Sequence, residues 1–162
     1  MNTISKRMSV LLVIVLFLTS ACKANVSRNN DGSFTVETTI TQQELQEAIT
    51  TAIADPLVKE LKASLQSGYV LVTGTRQRLN NASKTDTLGF RLDLGVNNGQ
   101  LTATISNAQI DGVAVEQNRV DNWNQTLANR LSNIGKTKEN ATLQSVNITP
   151  DIVTMTWNVT KK

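Results

Sequence analysis

From Ile40 to Leu65, apolar residues recur at spacings of three and four. Leu45, Ala48, Ile49, Ala52 and Ile53 form one stripe, and Leu57, Val58, Leu61 and Leu65 continue it. That spacing predicts a long helix with one buried face. Thr41 is placed to cap it, because its hydroxyl can accept a bond from an unpaired first-turn N–H. Glu44, three residues on, completes a capping box, and Ile40 with Leu45 makes a hydrophobic staple. Asp55-Pro56 interrupts the run, so the helix kinks or restarts there. Gly68 is the expected stop.

Elsewhere the period is two. Ser33 to Ile40 alternates, with Phe34, Val36, Thr38 and Ile40 on one side. Tyr69 to Thr75 alternates, and a polar loop or hairpin connection follows to Asp86. Leu88, Phe90, Leu92, Leu94 and Val96 share one face of a strand that runs into Asn97-Asn98-Gly99. Asn-Gly tolerates positive φ at both central positions, so a hairpin is predicted. Leu101, Ala103 and Ile105 return on the inner face. The phase then slips to Ala108 and Ile110, which predicts a β-bulge near Ser106-Asn107. After an Asp111-Gly112 turn, Val120, Trp123, Leu127, Leu131 and Ile134 define a second helix, with Gly135 as its stop. A hairpin closes the chain: Leu143 to Ile148, a Pro150-Asp151 turn, then Ile152 to Val159.

These elements read strand, helix, three strands, helix, two strands. The predicted fold is α+β, in the order β-α-β-β-β-α-β-β. A curved antiparallel sheet packs around the long first helix, and the second helix lies on the same face. Residues 33–162 form a single α+β domain.

The N-terminus carries an address. Lys6 and Arg7 precede nine unbroken apolar residues, Val10 to Leu18, then Thr19-Ser20-Ala21-Cys22. Nine residues fall far short of the ~20 that span a bilayer, so residues 1–21 read as a signal peptide. Ser20-Ala21-Cys22 resembles the lipobox of bacterial lipoproteins, with Thr19 where leucine is usual. The resemblance implies cleavage before Cys22 and acylation of that residue, palmitate among the chains, giving a membrane anchor. An ordinary secretory signal would instead leave Cys22 free. Residues 22–32 are polar and read as a flexible tether ending in a turn. No aspartate follows the cysteine. The expected location is therefore the outer membrane facing the periplasm in a Gram-negative host, otherwise the outer face of the cytoplasmic membrane.

The formal charge of +3 shrinks once the signal is removed. Of 16 Lys and Arg residues, Lys6 and Arg7 are lost, leaving 14 against 13 acids. No run of like charge survives, so the footprint of a nucleic-acid binder is missing. The chain has no histidine and one cysteine. Ser-His and Cys-His chemistry are thereby excluded, as is an intrachain disulfide. Glu44 and Glu47 read as first-turn acids, and Arg91 with Asp93 as a surface ion pair. The expectation is a protein that is not an enzyme and has neither cofactor nor metal. Six Asn-x-Ser/Thr triplets are ascribed to a composition rich in Asn and Thr.

Two stretches carry a wider resemblance. Ile40-Thr41-Gln42-Gln43-Glu44-Leu45-Gln46-Glu47-Ala48-Ile49 and Val146-Asn147-Ile148-Thr149-Pro150-Asp151-Ile152-Val153 resemble the helix opening and closing hairpin of small bacterial envelope lipoproteins of the YceB-like, tubular-lipid-binding-like type. Asp151 stands where those proteins usually have glycine. The resemblance implies an apolar seam able to hold an acyl chain. Ile49, Ile53, Leu57 and Leu61 would line it from the first helix, Phe90, Leu92 and Leu94 from the sheet, and Leu127 and Leu131 from the second helix. The same residues make an ordinary core if no seam opens. Two functions follow. One is a lipid- or apolar-ligand-binding lipoprotein. The other is a structural or adaptor lipoprotein with a solid core, a cystatin-like helix-on-sheet module that binds a protein partner.

Overall fold

Thr41 caps its helix as its sequence implies. The Glu44 N–H donates to Thr41 Oγ1 at 3.2 Å, and Glu44 Oε2 accepts from the Thr41 N–H at 2.8 Å. The computed structural model in which this is seen describes residues 25–135 and 140–160. Ile40 and Leu45, the staple pair, are both fully buried.

The elements in chain order are β1 (Asn25–Arg28), β2 (Phe34–Thr41), α1 (Gln42–Ile53), β3 (Val58–Gln66), β4 (Tyr69–Arg78), β5 (Asn81–Asn97), β6 (Gln100–Ile110), β7 (Val113–Ala114), α2 (Gln117–Gly135), β8 (Ala141–Ile148) and β9 (Ile152–Val159). The fold is α+β: two helices and antiparallel strands. The strands divide into two sheets, ordered β1-β2-β9-β8 and β3-β4-β5-β6-β7. One curved sheet was the expectation. The first and last strands instead pair with each other, Phe34 opposite Val159 through Thr41 opposite Ile152, and so close a sheet of their own. The two sheets meet at β8, where the Leu143 N–H donates to Gly99 O and the Gly68 N–H to Ile148 O.

The first helix is shorter than its stripe implied. It ends at Ile53, with Ala54 in the left-handed conformation at φ 42°. Pro56 disfavours a helical residue before it and has no N–H to continue the ladder. Beyond it the chain is extended as β3, not helical. Leu61, Ala63 and Leu65 turn inward while Lys62 and Ser64 turn out, so these residues fit a period of two as well as the three-four spacing. Gly68, at φ 87°, belongs to the Ser67-Gly68 turn between β3 and β4 rather than to a helix end.

Other expectations hold closely. Asn98 and Gly99 both have positive φ, 51° and 73°. The β5–β6 register slips between Gly89 and Arg91, and Asn107 sits opposite that slip at φ 54°, where a bulge was expected. The polar stretch after Thr75 is a hairpin arm: β4 runs on to Arg78, and β5 starts at Asn81. The tether expectation fails from residue 25 onward. Asn25–Arg28 pairs in register with Phe34–Glu37 as an edge strand.

The inner faces of both sheets and the facing sides of α1 and α2 close on one core. It runs from Val36 and Ile40 through Ile49, Leu92, Leu127 and Leu131 to Met155 and Trp157. No helix among the described residues is long and apolar enough to cross a membrane.

Candidate functional site

Six of the nine seam residues lie in that single core: Ile49 and Ile53 on α1, Phe90 and Leu92 on β5, Leu127 and Leu131 on α2. Leu61 and Leu94 are half-buried and pack against it. Ile49, Leu92, Leu127 and Leu131 have 0% exposure. Phe90 and Trp123 fill the space above the five-stranded sheet, with ring centroids 6.2 Å apart. Leu57 is corrected in place: it lies in the connection between α1 and β3, half-buried, not on the helix. Leu61 is likewise on β3. Cys22, the anchor candidate, lies outside the described residues.

Below the seam residues sits a charged cluster that periodicity gives no hint of. Asp55, at the end of α1, accepts from Arg76 Nε at 2.8 Å and from Arg119 Nη2 at 2.7 Å, both at Oδ2. Its Oδ1 accepts from the Leu57 N–H at 2.9 Å. The Asp55 and Arg76 side chains are 5% and 9% exposed. Burial alone raises the Asp55 pKa. The Arg76 guanidinium, the Leu57 N–H and Arg119 outweigh it, so the pKa lies below the ordinary carboxylate value. Arg119 also lies over the Trp123 ring, at 5.2 Å. A second cluster ties Arg78 to Asp86 and to Asp111. The two clusters balance in charge and knit α1, α2 and the β4–β5 arm together. Among the described residues no group of three or more acidic or cysteine side chains is arranged to hold a metal ion.

The outward side of the five-stranded sheet offers the other arrangement. Arg91 makes a two-pronged pair with Asp93, Nη2 to Oδ1 at 2.6 Å and Nε to Oδ2 at 2.8 Å. The same guanidinium lies 4.2 Å over the Tyr69 ring. Beside them Leu71 is 43% exposed. Gly89 has no side chain to fill the surface between Thr73 and Gln109, and the result is a shallow groove of ≈ 620 Å³. Sequence spacing found the Arg91–Asp93 pair but not Tyr69, which reaches Arg91 only through the β4–β5 register. Two further clefts open on the surface. One lies between α1 and α2, lined by Glu44, Glu47, Ala48 and Arg130. The other lies beside the Asn98-Gly99 turn, lined by Asn129, Asn133 and Thr142.

Compared with known proteins, the chain matches no family model, no curated protein and no solved structure.

Proposed function

We propose that the chain is a non-enzymatic, membrane-anchored lipoprotein of the bacterial envelope that acts as an adaptor. It binds a protein partner through the outer face of its five-stranded sheet. The carrying observation is the close packing at the seam: Ile49, Leu92, Leu127 and Leu131 have no exposure, so no water-sized space reaches those four side chains. Binding then falls to the surface. The Tyr69, Leu71, Arg91 and Asp93 group supplies an aromatic body, an aliphatic contact and a pre-ordered guanidinium on rigid strands. Anchoring rests on Ser20-Ala21-Cys22 behind a short apolar run.

The apolar-ligand function is the second reading. Its support is the half-buried pair Leu61 and Leu94 packed at the margin of the core, together with the resemblance to YceB-like lipoproteins.

Cys22→Ser releases the full-length protein from membranes on this reading; a variant that still sediments with membranes removes the anchor. A photo-crosslinking residue at Leu71, tested in intact cells, joins the protein to one stoichiometric partner, and the same residue at Glu37 on the other sheet does not. Lipid extraction of the purified protein separates the two functions. A stoichiometric bound lipid, with no adduct at Leu71, decides for the seam.

A further inference from the structure

The N-terminal strand has a consequence for where this protein sits. We infer that the β1 edge of the four-stranded sheet lies directly against the bilayer, facing lipid headgroups. The inference rests on the acylation of Cys22 proposed above.

Chain length holds this strand close to the anchor. All four β1 residues pair in register, Asn25 with Glu37 through Arg28 with Phe34, so Asn25 is held in the sheet. Only Lys23 and Ala24 separate Asn25 from Cys22. Three Cα–Cα steps reach about 11 Å at full extension. A flexible tether running to Gly32 would reach three times as far. An acylated Cys22 sits at the membrane surface, so Asn25 cannot leave it by more than that short span.

The surface at this place suits headgroups. β1 has one free edge, and its four residues are exposed, Val26 by 63%. The outward neighbours around Asn25 are Ser27, Thr35, Glu37 and Thr156. Apart from Glu37 they are neutral hydroxyl and amide groups that hydrogen-bond to headgroup oxygens without regard to lipid charge. β8, at the other edge of this sheet, is occupied by the hairpin turns at Gly68 and Gly99. The tether therefore leaves from the one edge that the fold keeps open.

The test uses the full acylated chain. Cys22 is the only cysteine, and acylation occupies its sulfur, so an added thiol can be labelled alone. Val26→Cys and Leu79→Cys, each carrying a bimane, are reconstituted in phosphatidylethanolamine–phosphatidylglycerol vesicles that contain headgroup-proximal spin-labelled lipid. Leu79 is on the turn at the far end of the β4–β5 arm. Quenching several-fold stronger at position 26 than at 79 is expected. A Gly/Ser insert of about ten residues before Asn25 lowers quenching at 26 to the level at 79. Equal quenching at both positions, or no effect of the insert, with Cys22 acylated by mass spectrometry, overturns the inference and leaves the anchor standing. An unacylated Cys22 overturns both. Ser27→Cys replaces Val26→Cys if circular dichroism shows that variant misfolded.

Discussion

The side-chain amide of Gln46 takes the place of a neighbouring strand beside Ala63. Its Oε1 accepts from the Ala63 N–H at 2.6 Å, while its Nε2 donates to Leu61 O. A residue of a parallel strand bonds its neighbour in the same way, to an N–H and to the carbonyl two residues earlier. Gln42, one turn before on α1, donates to Ala63 O at 3.1 Å. α1 thus seals the open edge of β3, which would otherwise present unpaired backbone to other chains. Gln46→Ala removes two of these bonds and is expected to destabilise the domain by about 1–3 kcal/mol. It should also expose the edge. Urea unfolding checks the first effect. Light scattering checks the second, by a concentration-dependent rise in mass absent from the parent protein.

Asp55 is the residue on which α1, β4 and α2 converge, so its loss is costly. Asp55→Ala leaves the buried Arg76 without its partner, and about 3–5 kcal/mol of stability is expected to go. The titration has a definite sign. The folded pKa lies below the unfolded value of 3.8, so the folded state binds fewer protons in that range. The stabilisation is therefore fully present above pH 3.8 and is lost as pH falls through the lower folded value. Asp55→Asn flattens this acid limb. Urea midpoints between neutral and strongly acid pH measure it; a parent and an Asn variant with parallel profiles would count against the account.

Gly99 and Gly112 separate two reasons for glycine. Both have positive φ, 73° and 79°. An added Cβ at Gly99 would come within 2.3 Å of Thr142 Cγ2, whereas at Gly112 it meets nothing within 4 Å. Gly112→Ala is expected to cost only the backbone term, about 1–2 kcal/mol. Gly99→Ala should cost more, because Thr142 must move and the Leu143 N–H bond to Gly99 O goes with it. Thermal unfolding of the two variants gives the order.

Local chemistry made much of this fold readable. Thr41 and Glu44 announce a helix start, Asn98-Gly99 a hairpin, and the slip from Ile105 to Ala108 a bulge. Each signal is complete within a few residues. Where two periods fit the same residues, the pattern was ambiguous. Leu61 and Leu65 serve a helical stripe, and with Ala63 they serve a strand equally well; pairing with β4 decided the matter. The Asp55 cluster was illegible for a different reason. Its arginines stand 21 and 64 residues away, and no local periodicity joins them. The pairing of β2 with β9 is longer in range still, and it turned one expected sheet into two. Which apolar faces meet is likewise a question of packing: Ile49, Leu92, Leu127 and Leu131 come from three elements and share one buried core.

The same long-range pairing buries one polar link that can be tested by itself. Trp157 Nε1 donates to Thr38 Oγ1 at 2.9 Å, between residues that are 3% and 6% exposed. Thr38 faces the core from β2, opposite Met155 on β9. Thr38→Val keeps the shape and removes the acceptor. The indole N–H is then orphaned in the interior, which is expected to cost about 1–3 kcal/mol. Trp157→Phe removes the donor and trims the ring, so it carries a packing loss of its own. In the double variant no donor is left unpaired, and the combined loss should fall short of the sum of the two single losses by about 1 kcal/mol or more. Urea unfolding followed by circular dichroism, which does not depend on the altered tryptophan, measures all four proteins. Strict additivity would show that the Thr38 hydroxyl contributes nothing specific to holding the two ends of the chain together.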